Sequence, residues 1–435
     1  MKATFTKIQS FSQRTSKHFR RFIEHNANWM IALLITTLSL LCRYLVAPYP
    51  TNDMVGFILN GWMKGIDTVG FSKFYTINSD YSPLYLFFIA VLSLLPKGNN
   101  VTINGYTYDL NRMYYVKSFY FLVDILMAVG VYLLLRHITK DKFKATIGYC
   151  ITLCLPIQLV NSALWGNCDC LYFTCFLYVI YAILKKKSHL AWFFFGLSLS
   201  LKMQSVFILP FLVYLMLNGK LKFYPIYMAV VALFLSFLPS YICGAAFREP
   251  FRYFYEQVGG YSMLTLGCAN FWKFFSAVNR DNPSSPLNQA SIYIGLLLIG
   301  LFTAIVYLRR VKLTDRNIVL VSVFLIGIVP YFLPHMHERY FYSLDVLTIL
   351  YALLHTEKKR YFIIPLMQVS SAIAYYHYLS GSTNIYIFDI LKEDCVTIAS
   401  IINLFLLTLI FTDIMKFDQQ EEEDNSDILT NHLSH

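Results

Sequence analysis

The chain has 435 residues, of which 57% are hydrophobic and only 14% charged. Soluble domains carry roughly 25% charged residues, so this composition excludes an ordinary soluble enzyme or binding module. The formal charge of +11 does not point to nucleic acid, because Lys and Arg fall in short clusters between apolar runs, where the positive-inside rule puts them.

Several apolar runs approach the roughly 20 residues that cross a bilayer. Backbone in lipid must satisfy its own hydrogen bonds, so these runs read as helices. The expected fold is an all-α polytopic membrane protein, a helical bundle of about 12 transmembrane helices with a membrane-surface helix in the first outer loop.

In chain order, residues 1–28 form a basic cytoplasmic arm with Lys2, Lys7, Arg14, Lys17, Arg20 and Arg21. No short apolar region with a cleavage site follows, so 29–46 reads as an uncleaved first crossing. Residues 48–80 are polar and placed outside, with 57–63 as the surface helix. The apolar stretch 83–95 is too short to cross comfortably and is expected to dip in and return. Crossings follow at 114–135, 145–164 and 171–184. Arg136 to Lys144 and Lys185-Lys-Lys187 lie in the cytoplasm, which leaves Trp165-Gly-Asn-Cys-Asp169 outside. The run 191–217 is interrupted by Lys202-Met-Gln204, as for two short crossings with that tripeptide at the outer turn. Residues 224–242 lead to an outer loop, 248–288. Crossings at 290–308, 318–333, 340–354, 362–378 and 396–415 complete a membrane domain of 29–415. Arg309-Arg310-Val-Lys312 and Lys358-Lys-Arg360 sit inside. Residues 416–435 read as an acidic, disordered cytoplasmic tail.

Nine cysteines fall mostly in apolar runs, and Cys168-Asp-Cys170 lacks a second ligand pair. No metal and no cofactor is expected.

Sorted by side, the chemically able residues collect outside, and ionisable groups at the edge of apolar spans are costly. Asp53 can act as a general base or, with Asn52, cap the surface helix. Asp80, in Asp80-Tyr-Ser-Pro83, has the same two readings, with Pro83 in the first turn. Asp169, Lys202 and Gln204 lie between short apolar stretches; for Lys202 the bland account is a snorkelling side chain. Lys117 and Asp124, two turns apart in one span, read best as structural polar contacts. The densest cluster is Pro334-His335-Met-His337-Glu338-Arg339. It lacks the second His of a zinc H-E-x-x-H motif. It suits an anion site, with His and Arg on a phosphate and Glu338 orienting one of them. The competing reading is a solvated loop with interfacial aromatics. Carboxylates beside cations at membrane depth point to an amphiphilic, phosphate-bearing substrate.

These residues, with Ala269-Asn-Phe-Trp272 and Pro210, occur in an order that resembles the C-type fold glycosyltransferases that use polyprenyl-phosphate sugars. The chain looks most like bacterial relatives of the second glycosylphosphatidylinositol mannosyltransferase, and more distantly like the dolichyl-phosphate-glucose glucosyltransferases. It departs from them at Ser82, Asn167 and Met203. The resemblance implies a metal-independent, inverting transfer of a hexose, of the mannose or glucose class. The donor is a polyprenyl-phosphate carrier, and the acceptor a glycan, glycolipid or protein outside a bacterial plasma membrane. It implies Asp53 as base, Asp80 assisting, and His335, His337, Glu338 and Arg339 at the lipid phosphate. A transporter or flippase of lipid-linked sugars is the alternative from another class, and a structural subunit of a cell-envelope assembly a third.

Overall fold

The computed structural model describes residues 26–257, 263–278, 285–383 and 394–418. All but a few residues of the arm and the tail lie outside them. The chain is a mostly helical membrane protein with two short strand pairs. Six helices are long and apolar enough to cross a membrane, or seven if one bent pair counts as a single span.

Helix α1 (Asn26–Val46) lies at the periphery. It exposes Trp29, Leu33 and Leu45, an apolar face suited to lipid. A π-helix, α2 (Asn52–Met63), runs on as α-helix to Val69 and buries Met54, Val55, Ile58, Leu59, Trp62, Met63 and Ile66. It includes residues 57–63, where a helix was expected in the first loop, and extends beyond them on both sides. α3 (Pro83–Ser93) is capped by Ser82, whose hydroxyl accepts from the Tyr85 N–H. Near its start Tyr85 bonds Tyr120, and just beyond its far end Pro96 accepts from Tyr115, so both of its ends lie beside residues 115–120.

The hairpin β1 (Asn100–Ile103) and β2 (Tyr106–Asp109) leads into α4 (Leu110–Thr139). Its 30 residues rise about 45 Å, more than the roughly 30 Å of hydrocarbon core. α5 (Lys142–Cys154) and α6 (Pro156–Trp165) form the bent pair, at 48°. Pro156 breaks the ladder there, and side chains take up the freed groups. Arg43 donates to the Leu153 carbonyl at 3.0 Å and Ser39 does so at 2.9 Å. The Ile157 N–H donates to Gln368 at 3.1 Å.

α7 (Asp169–Leu184), α8 (Ser188–Leu199) and α9 (Met203–Leu217) are short apolar helices. α10 (Tyr224–Ile242) packs on α8, where Gly196 lies against the Ala229 backbone. α11 (Glu249–Gln257) and the two-residue strand β3 (Thr265–Leu266) follow. α12 (Pro286–Leu308), like α1, presents much of its surface outward. α13 (Asp315–Phe332) and α14 (Tyr342–Leu354) are mostly apolar and almost wholly buried. They form the centre of the bundle, as such helices must. Between them β4 (Met336–His337) pairs in parallel with β3. α15 (Ile363–Thr383) and α16 (Asp394–Met415) pack together.

The bundle has two distinct ends. His137 meets Asp315 at 3.0 Å, and Arg316 donates to the Leu354 carbonyl at 2.7 Å. Arg360 holds Asp413 at 2.6 Å, and Arg309 donates to Met415 at 2.9 Å. These contacts gather the starts of α13 and α15 with the ends of α4, α14 and α16. The basic clusters therefore share one end. The other carries the start of α4, the end of α13 and the β3–β4 pair. α7, α8 and α14, of 16, 12 and 13 residues, rise only about 18–24 Å. What they carry at their far tips is recessed from that second end.

Candidate active site

Asp53 is positioned by its neighbours in three dimensions. Lys117, from α4, donates to the carbonyls of Ala47 at 2.8 Å, Tyr49 at 3.1 Å and Leu164 at 3.1 Å. One ammonium thus ties the exit of α1 to the end of α6. Lys117 is a structural contact, as is Asp124, which pairs with Arg43 at 3.1 Å and accepts from Ser162 at 2.7 Å. Thr51 caps α2: its hydroxyl accepts from Met54 and donates to the Trp165 carbonyl at 2.7 Å. Neither Asn52 nor Asp53 is therefore the cap. The Asp53 carboxylate instead accepts from the Trp165 indole N–H at 2.8 Å on one oxygen. Its other oxygen accepts from the Tyr378 hydroxyl at 2.7 Å. The Trp165 and Tyr378 rings stack at 5.0 Å.

Trp165 is held in turn by Gly166. With φ of +78° the chain turns left-handed there, and a Cβ would fall 2.9 Å from the Met54 sulfur. Glycine meets both requirements. The turn presents Asn167, whose side-chain oxygen accepts from the Cys168 N–H at 2.8 Å and from Lys202 at 3.3 Å. Burial pushes the Cys168 thiol up to about 11, so it stays protonated at neutral pH.

Lys202 occupies the extended break between α8 and α9. It is 5% exposed, so it does not snorkel. It donates to Asp169 at 2.5 Å and lies 5.2 Å from the centre of the Tyr81 ring. Asp169 opens α7, where the helix dipole favours a carboxylate, and also accepts from Asn161 at 3.0 Å.

The 335–339 segment splits. The His335 backbone is left-handed, with φ of 61°. Its ring nitrogen meets the Met263 carbonyl at 2.7 Å and its N–H donates to Leu264 at 3.0 Å. It braces the loop before β3 and does not line the cavity described below. Trp272, donating to Phe332 at 2.6 Å, and Asn270, donating to Leu333 at 3.1 Å, brace the same region. Glu338 is 3% exposed and accepts from Arg339 at 2.8 Å. Burial would raise its carboxyl, but His337 and the Arg339 charge outweigh burial and hold it below the usual value. Burial, helped by Arg339, holds His337 below the usual imidazole value despite Glu338. His337 is therefore neutral at neutral pH. Of the two histidines expected at a phosphate, His337 lines the cavity as a neutral ring and His335 lies outside it. Arg339 also lies 3.9 Å from Asp169, and its guanidinium sits 5.4 Å from the centre of the Trp165 ring.

These elements enclose a cavity of about 230 Å³. Of the nine residues expected in the site, Asp53, Asp80, Lys202, Gln204, His337 and Arg339 line it. Asp80 is exposed at its edge. Asp169 and Glu338 stand behind Lys202 and Arg339 as counter-ions, and His335 lies apart. Tyr378, Asn167 and Tyr253 also line the cavity and were not expected there. Tyr378 is one of several polar residues of α15, with Gln368, Ser371 and His377 among them, and nothing in its spacing marks it. Trp165 and Asn167 lay within a noted motif, but only as neighbours of Asp169. Among the described residues, no group of three or more His, Cys, Asp or Glu is placed to hold a metal. The cavity can thus hold a small ligand against a fixed carboxylate and two cations, with aromatic faces around it. Neither models of known protein families nor curated proteins give a match to this chain.

Proposed function

We propose that the chain is an integral membrane glycosyltransferase that moves a hexose from a polyprenyl-phosphate carrier to an acceptor hydroxyl, with Asp53 as general base. The observation that carries this reading is the cavity itself. Asp53, braced on both oxygens by neutral donors, shares it with Lys202, Arg339 and His337. Carboxylate, cations and aromatic faces together match the needs of a sugar phosphate. At about 230 Å³ the cavity is below the roughly 300–1,000 Å³ of drug-sized sites. It suits one sugar ring or a headgroup, with a lipid tail left in the bilayer.

The reaction balances without a metal. The acceptor oxygen forms a bond to the anomeric carbon, the bond from that carbon to the phosphate oxygen breaks, and polyprenyl phosphate leaves. The acceptor proton goes to Asp53, whose oxygens keep lone pairs beyond those used by Trp165 and Tyr378. Direct displacement inverts the anomeric centre. Lys202, Arg339 and the neutral N–H of His337 bind the phosphate as charge builds on it.

The basic clusters at the opposite end support a non-cytoplasmic site, since the positive-inside rule turns that end to the cytoplasm. A bacterial plasma membrane, with the C-type architecture and about a dozen crossings, fits this orientation.

The test is transfer by the purified full chain given polyprenyl-phosphate mannose or glucose and a panel of acceptors. Release of polyprenyl phosphate coupled to acceptor glycosylation is expected, and Asp53→Asn abolishes it while membrane insertion is kept. Movement of the lipid across vesicles without chemistry would show a transporter, and full transfer by Asp53→Asn would remove the base from the mechanism.

A further inference from the structure

Three of the described residues that line the cavity carry a buried polar atom without a hydrogen bond. One is the Nε of Arg339, which has Asp169 at 3.9 Å as an ion-pair partner, and the other two are neutral amides. Among the described residues, the side-chain nitrogen of Asn167 and the side-chain oxygen of Gln204 are buried without a hydrogen bond. Asn167 is 3% and Gln204 7% exposed, and both line the cavity. The Asn167 amide is not free to turn. Its oxygen is engaged by the Cys168 N–H at 2.8 Å and by Lys202 at 3.3 Å, so its NH2 is the end left over. Leaving such a donor and such an acceptor buried is unfavourable unless something meets them. Each is anchored beside Lys202, the first through its hydrogen bond and the second through two residues of chain.

We infer that Asn167 and Gln204 form a sugar-reading subsite, an unpaired donor and an unpaired acceptor that together recognise hydroxyl groups of the hexose while Lys202 and Arg339 take the phosphate. A hydroxyl both donates and accepts, and a vicinal pair offers one of each to such a site. The phosphate offers the Gln204 oxygen nothing, because a phosphodiester has no proton to donate. The two residues therefore select the sugar and not the lipid phosphate. This rests on the glycosyltransferase reading of the cavity but concerns binding, so it is separable from catalysis.

The experiment compares binding of polyprenyl-phosphate mannose, polyprenyl-phosphate glucose and bare polyprenyl phosphate to the full chain in detergent. It is read by tryptophan fluorescence, since Trp62 lines the cavity. At least one sugar-bearing lipid is expected to bind about tenfold or more tighter than the bare lipid, the discrimination that a site built for hydroxyls provides. Asn167→Asp keeps the oxygen that Cys168 and Lys202 hold and removes the donor. Gln204→Met removes the acceptor, and Gln204→Glu keeps one. The first two erase the preference for the sugar-bearing lipid, and Gln204→Glu retains it. Gln204→Met leaves the bare lipid nearly unchanged, whereas the carboxylate that Asn167→Asp sets beside Lys202 weakens both lipids, so for that variant the ratio of the two affinities is read. Equal binding of sugar-bearing and bare lipid by the wild type, with transfer intact, overturns the subsite and leaves the enzyme reading standing. So does an unchanged preference in Asn167→Asp and Gln204→Met. Selective binding that these variants abolish, in a protein that transfers nothing, upholds the subsite and removes the enzyme reading. Binding of none of the three lipids overturns both.

Discussion

Tyr378→Phe is the sharpest single perturbation of the site. It deletes one oxygen, the donor at 2.7 Å to Asp53, and leaves the ring stacked on Trp165. A hydrogen bond to a charged group contributes about 1.5–3 kcal/mol. Asp53 keeps its second brace, the Trp165 N–H at 2.8 Å, so the lower figure applies. At about 1.4 kcal/mol per factor of ten, the expected loss is about tenfold. It falls on kcat, because a carboxylate free to turn about its remaining bond is misaligned only when it must take the proton. Losing the base altogether costs about 100- to 10,000-fold, so Tyr378→Phe must lie well above Asp53→Asn in activity. The assay is steady-state transfer of labelled hexose by the purified full chain, with kcat and KM resolved. A wild-type kcat, or a change confined to KM, refutes the positioning role.

Further expectations follow from the same geometry. Gly166→Ala places a Cβ 2.9 Å from the Met54 sulfur at a left-handed residue. Overpacking and the φ penalty together lower stability by about 2–4 kcal/mol, seen as a reduced thermal midpoint, and an unchanged midpoint contradicts this. Glu338 has a folded pKa below its ordinary 4.5. Its stabilisation is complete above that value and lost as pH falls through the depressed one. The thermal midpoint of the wild type should therefore fall more steeply than that of Glu338→Gln between about pH 5 and pH 3; parallel curves would show that Glu338 does not contribute. Asp169→Asn strips Lys202 of its counter-ion and is expected to tighten binding of bare polyprenyl phosphate several-fold, measured by titration, whereas weaker binding reverses the assigned role.

Much of this architecture was legible because apolar runs bounded by basic clusters are strong one-dimensional signals. The runs 318–333, 340–354 and 396–415 fall within three residues of α13, α14 and α16 at each boundary. The broken run 191–217 is α8 and α9 with Lys202 in the break, as the polar tripeptide implied. The run 145–164 gave no sign of its 48° bend, although Pro156 stands within it. Proline ends a helix or kinks it according to what takes up the freed backbone groups. Ser39 and Arg43, which donate to the Leu153 carbonyl, and Gln368, which accepts from the Ile157 N–H, come from distant parts of the chain. The site follows the same division. Asp53, Asp80, Lys202, Gln204, His337 and Arg339 were visible as polar exceptions in an apolar chain. Their arrangement was not. Asp169 and Glu338 look like their neighbours in sequence, and only the fold puts them one layer back. Tyr378 acquires its role solely from a partner 325 positions away.

That layering decides how an anion can bind here. Counting Asp53, Asp80, Asp169 and Glu338 against Lys202 and Arg339, with His337 neutral, the region has more carboxylates than cations. Charge count alone would argue against a phosphate. Distance reverses the answer. At an effective dielectric of about 20, a charge at about 4 Å contributes about 4 kcal/mol and one at about 7 Å about 2.4 kcal/mol. A phosphate touching Lys202 and Arg339 gains the larger figure twice and loses the smaller twice to Asp169 and Glu338, which lie behind the cations. The rear carboxylates weaken the anion site without abolishing it. They also hold both cations in place before the ligand arrives, so little reorganisation is needed on binding. Asp53 stands outside this arrangement, braced by an indole and a phenol and not by a cation. Both of its immediate donors are neutral, which leaves its charge to act on an acceptor hydroxyl in the transfer proposed above.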